Sequence, residues 1–356
     1  MTTYLRKDLK NLTPYKIEHI PYTIKLDANE SPFDLPQSVR NVLAEEILGG
    51  LSFNRYPDSD SNILREKLAH NHALHTSQLM VGTGSDELLQ TIINAFVSKN
   101  DTVLCPHPSF GMYAVFTRIA GGIPVDVQLN EDFTYNMERI FRCIREHKPK
   151  IVFLCSPNNP TGNVIDKKDV LDLLNNYNGI VALDEAYVEF SGTSLIRELV
   201  KYPNAIVLRT FSKAFGLAGL RVGYLAACNE LAEDLYKVKT PYNISSFSQR
   251  AAYVMLDHIE MVNKRVAEII CLREKLFQSF EGINGLKPYP SGANFILAKF
   301  EDAESVYGRL LKNGILVRNF QNNNLICDCL RITVGEKNEN DYLIDSLQQI
   351  MTEVLR

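Results

Sequence analysis

The sequence predicts an α/β protein with a large, mostly parallel, doubly wound sheet and a smaller α+β domain. In the middle of the chain, short apolar runs alternate with amphipathic stretches, as parallel strands joined by helices do. The apolar runs are continuous, which is typical of a sheet covered by helices on both faces. A length of 356 residues is sufficient for a large domain and a smaller companion.

The apolar runs and the helical spacing locate the individual elements. A helix is predicted over 86–98, where Leu88, Leu89, Ile92 and Ile93 recur at helical spacing. A longer helical stretch is predicted over 245–280, with Ser245 and Ser246 as candidate N-caps. Strands are predicted at 102–105, 151–155, 179–183, 205–209 and 221–226, and in the tail at 294–299, 315–318 and 330–334.

These elements divide the chain into three parts. Residues 1–30 are expected to form an arm with little core of its own. Residues 31–248 form the large domain, and residues 249–356 form the small C-terminal domain, attached through the long helix.

Composition and charge argue against several functional classes. A net charge of -4 gives no general reason to expect a nucleic-acid partner. Neither a signal-peptide core nor a membrane span of roughly 18 apolar residues is found, so a cytoplasmic protein is expected. The seven cysteines are scattered, which favours reduced thiols. Cys327 and Cys329 are interpreted as alternating strand residues, and no metal site is expected.

Polar residues cluster just after several predicted strands. Segments 156–162, 184–187 and 210–213 each follow an apolar run, and Arg221 is expected to open the next strand. Ligands of a doubly wound sheet bind beyond the carboxyl ends of its strands. These segments are therefore expected to meet at one edge of the sheet and to form a ligand site.

Lys213 is the candidate nucleophile of this site. A lone loop lysine is most often a surface residue, but partial burial lowers the pKa of an amine and makes it nucleophilic. Thr210 and Ser212 offer hydroxyl groups beside it, and Arg221 offers a planar fork suited to a phosphate group.

Two further features admit a structural and a functional interpretation. Asp184 ends an apolar run, so it should be buried and should need a cation, which a protonated pyridine nitrogen would supply. It is otherwise a helix cap. Segment 82–87 (GTGSDE) precedes a helix and is either an anion site of backbone N–H groups or a simple turn and cap. It is not a P-loop.

Taken together, these residues resemble the fold-type I pyridoxal-phosphate (PLP) aminotransferases and, more closely, the histidinol-phosphate aminotransferase branch. The resemblance runs nearly end to end through eight segments: KLDANESPF (25–33), RYPDSDSNILREKLA (55–69), GTGSDELL (82–89), SPNNPTG (156–162), DEAYVEF (184–190), RTFSKAFGLAGLRVGY (209–224), ANFIL (293–297) and LRITVG (330–335).

The resemblance implies PLP as the cofactor and a role for each matching residue. Lys213 is expected to form the Schiff base and to move a proton between substrate and cofactor. Asp184 is expected to pair with the pyridine nitrogen, and Phe110 to stack on the ring. The phenolic oxygen is expected to be bound by Tyr187 and Asn159. The phosphate is expected to be bound by Gly84, Ser85, Asp86, Thr210, Ser212 and Arg221.

The resemblance also implies the substrates histidinol phosphate and 2-oxoglutarate, with glutamate as the amino donor of the reverse reaction, in histidine biosynthesis. The substrate anion is expected at Arg331, helped by Tyr22, Asn29 and Arg318. An arginine fork can bind a carboxylate or a phosphate bidentately, so one pocket could serve both half-reactions. Tyr56 is expected to reach the cofactor phosphate of a neighbouring subunit, which implies a homodimer with shared active sites.

Two departures from the family pattern bear on the substrate. Phe110 stands where a tyrosine is more common, and VGEKNEN (334–340) replaces a V-G-T-x-x-E-N form. An aromatic amino-acid aminotransferase and a threonine-phosphate-type decarboxylase therefore remain alternatives, as does a PLP-binding regulatory protein without catalysis. An NAD-dependent Rossmann enzyme is disfavoured, because the fingerprint glycines are absent.

Overall fold

The computed structural model describes residues 4–10, 12, 20–192 and 194–354. Twelve strands lie within these residues: β1 (Ile24–Leu26), β2 (Leu79–Gly82), β3 (Thr102–His107), β4 (Ile123–Gln128), β5 (Ile151–Cys155), β6 (Ile180–Asp184), β7 (Ala205–Thr210), β8 (Gly223–Ala227), β9 (Leu286–Pro288), β10 (Phe295–Phe300), β11 (Ile315–Asn319) and β12 (Cys329–Thr333).

The same residues contain twelve α-helices: α1 (Gln37–Gly49), α2 (Asn62–His72), α3 (Gly84–Phe96), α4 (Met112–Ala120), α5 (Met137–His147), α6 (Lys167–Asn176), α7 (Ile196–Leu199), α8 (Asn229–Tyr236), α9 (Ser246–Asp257), α10 (Ile259–Glu281), α11 (Ala303–Lys312) and α12 (Lys337–Val354). None of the helices described is long and apolar enough to cross a membrane.

A seven-stranded sheet forms the centre of the molecule, in the order β2-β8-β7-β6-β5-β3-β4. All its strand pairs are parallel except those of β8, which runs antiparallel to both β7 and β2. The expectation that 221–226 is a further parallel strand is therefore wrong in direction and in start. Arg221 adopts a left-handed conformation (φ 51°) that the extended strand cannot contain, so β8 begins two residues later.

Helices cover both faces of this sheet, and the doubly wound α/β fold is confirmed. One core contains buried side chains of α1, α2, α5, α6 and α9 against one face. A second core contains side chains of α3, α4 and α8 against the other face. Successive side chains of β5 and β7 point alternately into the first and the second core, and both strands are buried along their whole length.

A second sheet has the order β1-β11-β12-β10-β9 and a core of its own. β1 from the predicted arm joins it, parallel to β11. Helix α10 links the cores, since Val262 and Ile269 pack against the large one and Leu276 and Phe280 against the small one. The domain boundaries stay predictions.

Most predicted elements are confirmed within two residues. The helix predicted over 86–98 begins and ends two residues earlier, and the stretch 245–280 is two helices separated at His258. The side chain of Ser245 accepts a hydrogen bond from the backbone N of Ser248, which confirms the predicted N-cap. Cys329 opens β12 but Cys327 lies before it, so the alternating-strand interpretation is wrong for Cys327.

Candidate active site

The topology places the ends of five strands at one edge of the large sheet. β2, β5, β6 and β7 end there, and β8, which runs antiparallel to β2 and β7, begins there. Gly223 pairs with Thr210 on one side and with Gly82 on the other. The start of α3, which follows β2, therefore lies beside the segment that follows β7.

Lys213 lies at this edge and is half-buried. Its Nζ donates a hydrogen bond of 3.0 Å to the carbonyl oxygen of Ala28 and lies 5.7 Å from the ring centroid of Tyr187. Desolvation, assisted by the positive charge of Arg331, lowers the pKa of Lys213 to about 8. A substantial fraction of this amine is therefore neutral near pH 8, as a lysine nucleophile requires.

Asp184 ends β6 and is 3% exposed. Its carboxylate accepts hydrogen bonds from the hydroxyl of Tyr113 (2.8 Å) and from the backbone N of Ala186 (3.0 Å). Burial raises the pKa of Asp184 to about 6, although both hydrogen bonds oppose the rise. In the described part of the chain no cationic side chain forms a salt bridge with it, so this buried carboxylate suits a cationic ligand atom.

Tyr113 is a site residue that the sequence analysis missed. It lies on α4, stacks on Phe153 at 4.7 Å between ring centroids, and meets Phe110 edge to face at 5.6 Å. Tyr113 follows the end of β3 by six residues, and nothing in the sequence around it indicates a partner 71 positions away. Phe110, which was expected to stack on a ligand ring, thus contacts the same tyrosine that donates to the carboxylate of Asp184.

An anion cradle is formed where α3 begins. Gly84 has φ +73°, and a Cβ atom there would lie 2.7 Å from Nη2 of Arg221. The guanidinium of Arg221 donates to Oγ of Ser212 (3.3 Å) and pairs with Asp86 (3.1 Å). Backbone N–H groups at a helix start and a half-exposed arginine together favour a phosphate.

Thr210 and Ser85 complete the surroundings of this cradle. Oγ1 of Thr210 accepts a hydrogen bond of 3.1 Å from the backbone N of Ser212, so it holds the segment that precedes Lys213. Gly223 allows the close approach of α3, since a Cβ atom on it would lie 2.8 Å from the backbone N of Ser85.

Arg331 lies on β12 of the small sheet and reaches the large sheet. Its Nη1 donates to Oδ1 of Asn159 (2.5 Å), and its Nη2 donates to the carbonyl oxygen of Asp27. The guanidinium also lies 5.4 Å from the ring of Phe295. Arg318 is the partner of Arg331 in the ladder of β11 and β12, so the two predicted arginines are neighbours.

Asn29 and Tyr187 form a buried contact between the arm and the large sheet. Nδ2 of Asn29 donates a hydrogen bond of 2.9 Å to the hydroxyl of Tyr187. Burial raises the pKa of Tyr187 to about 12, so its hydroxyl is protonated at neutral pH. Thr333, which the sequence analysis did not select, hydrogen-bonds to Asn29.

Two predicted site residues lie apart from this cluster. Tyr56 is 81% exposed and stacks on Tyr242 with ring centroids 4.6 Å apart. Tyr22 is 53% exposed and precedes β1. Arg318 lies on the small sheet beside Arg331, and the remaining predicted residues lie at or beside the edge of the large sheet.

The described residues fit PLP. Asp184 is a buried carboxylate that suits a protonated ring nitrogen, and the cradle of Gly84, Ser212 and Arg221 suits a phosphate. Lys213 lies at the same edge of the sheet, and its lowered pKa suits attack on an aldehyde.

Comparison with known proteins gives a consistent result. The family model described as aminotransferase class I and II matches residues 21–347. Two curated relatives are named histidinol-phosphate aminotransferase. The protein of Caldanaerobacter subterraneus subsp. tengcongensis is 48% identical over 98% of this chain and 99% of its own length. That of Thermoanaerobacter pseudethanolicus is 44% identical over 98% of each. The crystal structure of histidinol-phosphate aminotransferase from Sinorhizobium meliloti in complex with pyridoxal-5'-phosphate has a TM-score of 0.90 and 23% identity, and covers 99% of both chains.

Proposed function

Because the chain belongs to the class I and II aminotransferases, we propose that it catalyses the reversible transamination of histidinol phosphate with 2-oxoglutarate, with PLP as its cofactor. Glutamate is the amino donor of the reverse reaction, which is the direction of histidine biosynthesis. The observation that carries this proposal is whole-length similarity, at up to 48% identity, to proteins named histidinol-phosphate aminotransferase. The geometry supports it, since one cluster unites an amine, a buried carboxylate and two arginines.

PLP supplies a ring that withdraws electrons from the substrate's α-carbon. Asp184 holds a proton at the ring nitrogen by charge pairing, which keeps the ring electron-poor. Lys213 takes a proton from the α-carbon and returns it during transfer, and its lowered pKa suits both directions. Arg221, Ser212 and the start of α3 bind the phosphate and fix the position of the ring.

Asn159 and Tyr187 are placed to donate hydrogen bonds toward the phenolic oxygen. Oδ1 of Asn159 already accepts from Arg331, so its Nδ2 is the group left to donate. The hydroxyl of Tyr187 accepts from Asn29, so its own proton is available in the same way. Both donors favour the anionic form of that oxygen.

Arg331 is proposed to bind the substrate anion, with Arg318, Asn29 and Tyr22 as helpers. Histidinol phosphate presents a phosphate ester and 2-oxoglutarate presents a carboxylate. A guanidinium fork can bind either group bidentately. Because Asn159 fixes one side of Arg331, the arginine is held in place before the substrate arrives.

We also propose a homodimer that shares its active sites through Tyr56. Tyr56 and its partner Tyr242 belong to a set of large apolar or aromatic side chains that are exposed in the single chain and that include Leu48 and Phe53. Exposed aromatic side chains such as this stacked pair are enriched at protein interfaces. A cytoplasmic location stays a prediction.

A panel of amines tests the proposed substrate. The PLP-loaded protein is incubated with each amine, and glutamate formation from 2-oxoglutarate is measured. Histidinol phosphate is expected to have the highest kcat/KM. A higher value for phenylalanine or tyrosine would replace the proposal with an aromatic aminotransferase, and release of carbon dioxide from a phosphorylated amino acid would replace it with a decarboxylase.

A further inference from the structure

A short chain of buried hydrogen bonds links the small sheet to Tyr187. The backbone N of Asn29 donates to Oγ1 of Thr333 (3.0 Å), and Oγ1 of Thr333 donates to Oδ1 of Asn29 (3.3 Å). Nδ2 of Asn29 then donates to the hydroxyl of Tyr187 (2.9 Å). All three side chains are at least 95% buried, so water does not compete with these hydrogen bonds.

The direction of each hydrogen bond in this chain follows from the one before it. A backbone N–H can only donate, so the hydroxyl oxygen of Thr333 accepts and its proton remains to be donated. The hydroxyl of Thr333 donates this proton to Oδ1 of Asn29, so Nδ2 of Asn29 faces Tyr187. Since Nδ2 can only donate, the hydroxyl of Tyr187 accepts on that side and its own proton must point elsewhere.

We propose that Thr333 is a positioning residue that, through the amide of Asn29, directs the hydroxyl proton of Tyr187 toward the cofactor's phenolic oxygen. The proposal rests on the proposed function, because it presupposes PLP at this site. Thr333 fixes the direction of the hydrogen bonds between these three residues. Without its hydroxyl group, the side-chain amide of Asn29 is free to rotate by 180°. Oδ1 would then face Tyr187 and compete for the proton that the cofactor needs.

The surroundings hold the chain in this arrangement. Asn29 has φ +53°, and its carbonyl oxygen accepts a hydrogen bond of 3.1 Å from Nδ2 of Asn294. Thr333 is paired across β12 and β10 with Phe295, whose ring meets that of Tyr187 edge to face at 5.3 Å. The paired strands thus orient the ring of Tyr187 through one residue and its hydroxyl through the other.

The test is the pH dependence of the absorbance band of bound PLP, measured without substrate. A donor to the phenolic oxygen stabilises the deprotonated chromophore and lowers its pKa. Thr333→Val keeps the shape of the side chain and removes the hydroxyl, so this pKa is expected to rise by about 0.5–1, the effect of one hydrogen bond. Thr333→Ser keeps the hydroxyl and is expected to retain the wild-type value.

Two further variants separate this role from general damage. In a Tyr187→Phe background, Thr333→Val is expected to add no further shift, because the group through which Thr333 acts is absent. Asn29→Asp presents only acceptors to Tyr187, so it is expected to raise the pKa at least as much. The charged groups that face Tyr187 (Arg331, Asp184 and Lys213) are unchanged in the Thr333 variants, whereas Asn29→Asp adds a carboxyl group to them.

The outcomes decide between the inference and the proposed function. An unchanged pKa in Thr333→Val, or an equal shift in the Tyr187→Phe background, would overturn the role of Thr333 and leave the aminotransferase assignment intact. Lack of a PLP band in the wild-type protein would overturn both. Thr333→Cys, with a weakly hydrogen-bonding thiol, replaces Thr333→Val if the latter does not fold.

Discussion

The hydroxyl of Tyr113 donates a hydrogen bond of 2.8 Å to Oδ2 of Asp184, and both side chains are almost fully buried. Burial raises the pKa of the Tyr113 phenol well above its usual range, so its hydroxyl is a hydrogen-bond donor at neutral pH. The contact orients Asp184 without neutralising it. The carboxylate is therefore held in place with an elevated pKa, and this property leads to the first prediction.

Asp184→Asn is expected to have opposite effects on catalysis and stability. Loss of the charge that pairs with the ring nitrogen should lower kcat by roughly 100-fold or more, since breaking a buried ion pair costs about 3–5 kcal/mol. In the cofactor-free protein the same change removes an unpaired buried carboxylate. The variant should therefore unfold at a higher temperature than the wild type at pH 7–8.

The pH dependence of the difference in unfolding temperature between the wild type and Asp184→Asn provides the control for this prediction. The folded-state pKa of Asp184 (about 6) lies above the value of about 3.9 for an unfolded chain, so the carboxylate destabilises the folded protein above pH 6. This penalty, at most about 3 kcal/mol, is relieved as the pH falls from 6 to 4. The advantage of the variant in thermal unfolding should shrink over that window. A constant difference would contradict the elevated pKa.

The central strands of the large sheet were predictable because they are fully buried, whereas the short strand β2, which is also fully buried, was missed. β5, β6 and β7 are covered on both faces, so their residues are apolar without alternation and the runs stand out. β4 was missed because it is the last strand of the sheet: Pro124 and Asp126 lie within it and Ile123 is exposed. The direction of β8 was missed because direction depends on the path of the chain, which local composition does not record.

Covalent attachment of PLP to the cofactor-free protein should depend on pH through Lys213. The pKa of Lys213 is lowered to about 8, so its neutral fraction rises about tenfold per pH unit below 8 and levels off above it. The attachment rate, followed by absorbance, should rise with pH in the same way. Borohydride reduction and peptide mapping identify the lysine. A label on any other lysine would contradict the assignment, and Lys213→Ala should show no covalent attachment.

Gly84→Ala should weaken PLP binding, because Gly84 adopts φ +73° and an added Cβ would lie 2.7 Å from Nη2 of Arg221. The added Cβ must displace the guanidinium of Arg221, and a charge-assisted hydrogen bond from this group to the phosphate is worth roughly 1.5–3 kcal/mol. The dissociation constant of PLP should rise at least about fivefold in an equilibrium titration. Gly219→Ala is the matched control, since a Cβ at Gly219 meets no atom within 4 Å. Equal affinities in all three proteins would exclude the cradle as the phosphate site.

The sequence predicted the members of the site better than their partners. Lys213, Asp184 and Arg221 stand in motifs next to strands, so their position could be inferred from the order of elements. Tyr113 and its hydrogen-bond partner Asp184 are 71 positions apart, and Thr333 and its partner Asn29 are 304 positions apart. A threonine within a β-strand carries no local sequence signal of such a role. Only the packed structure brings these pairs together.

Sharing of the active site between subunits predicts complementation. Lys213→Ala and a Tyr56→Ala variant should each be nearly inactive, but a mixture that exchanges subunits should recover activity. In the hybrid dimer one site combines the intact Lys213 of one subunit with the intact Tyr56 of the other. The recovered activity should approach one quarter of the wild-type value, because half of the dimers are hybrids with one good site. An exchanging mixture that stays inactive would show that Tyr56 does not act across an interface.

If Arg331 binds the substrate's phosphate, a change at Arg331 should reduce the preference of the enzyme for histidinol phosphate over histidinol. Removing the phosphate from the amine strips out charge-assisted hydrogen bonds and leaves the imidazole unchanged. Such bonds are worth roughly 1.5–3 kcal/mol each, so the loss of two should lower kcat/KM for histidinol at least about 100-fold relative to histidinol phosphate. Arg331→Lys keeps a positive charge but lacks the planar fork that Asn159 holds in place. This variant should therefore lose most of its preference for the phosphorylated amine, because kcat/KM falls much further for histidinol phosphate than for histidinol. If both substrates lost activity equally, Arg331 would act on the cofactor side of the site or on the fold, and the phosphate would be bound by another cation.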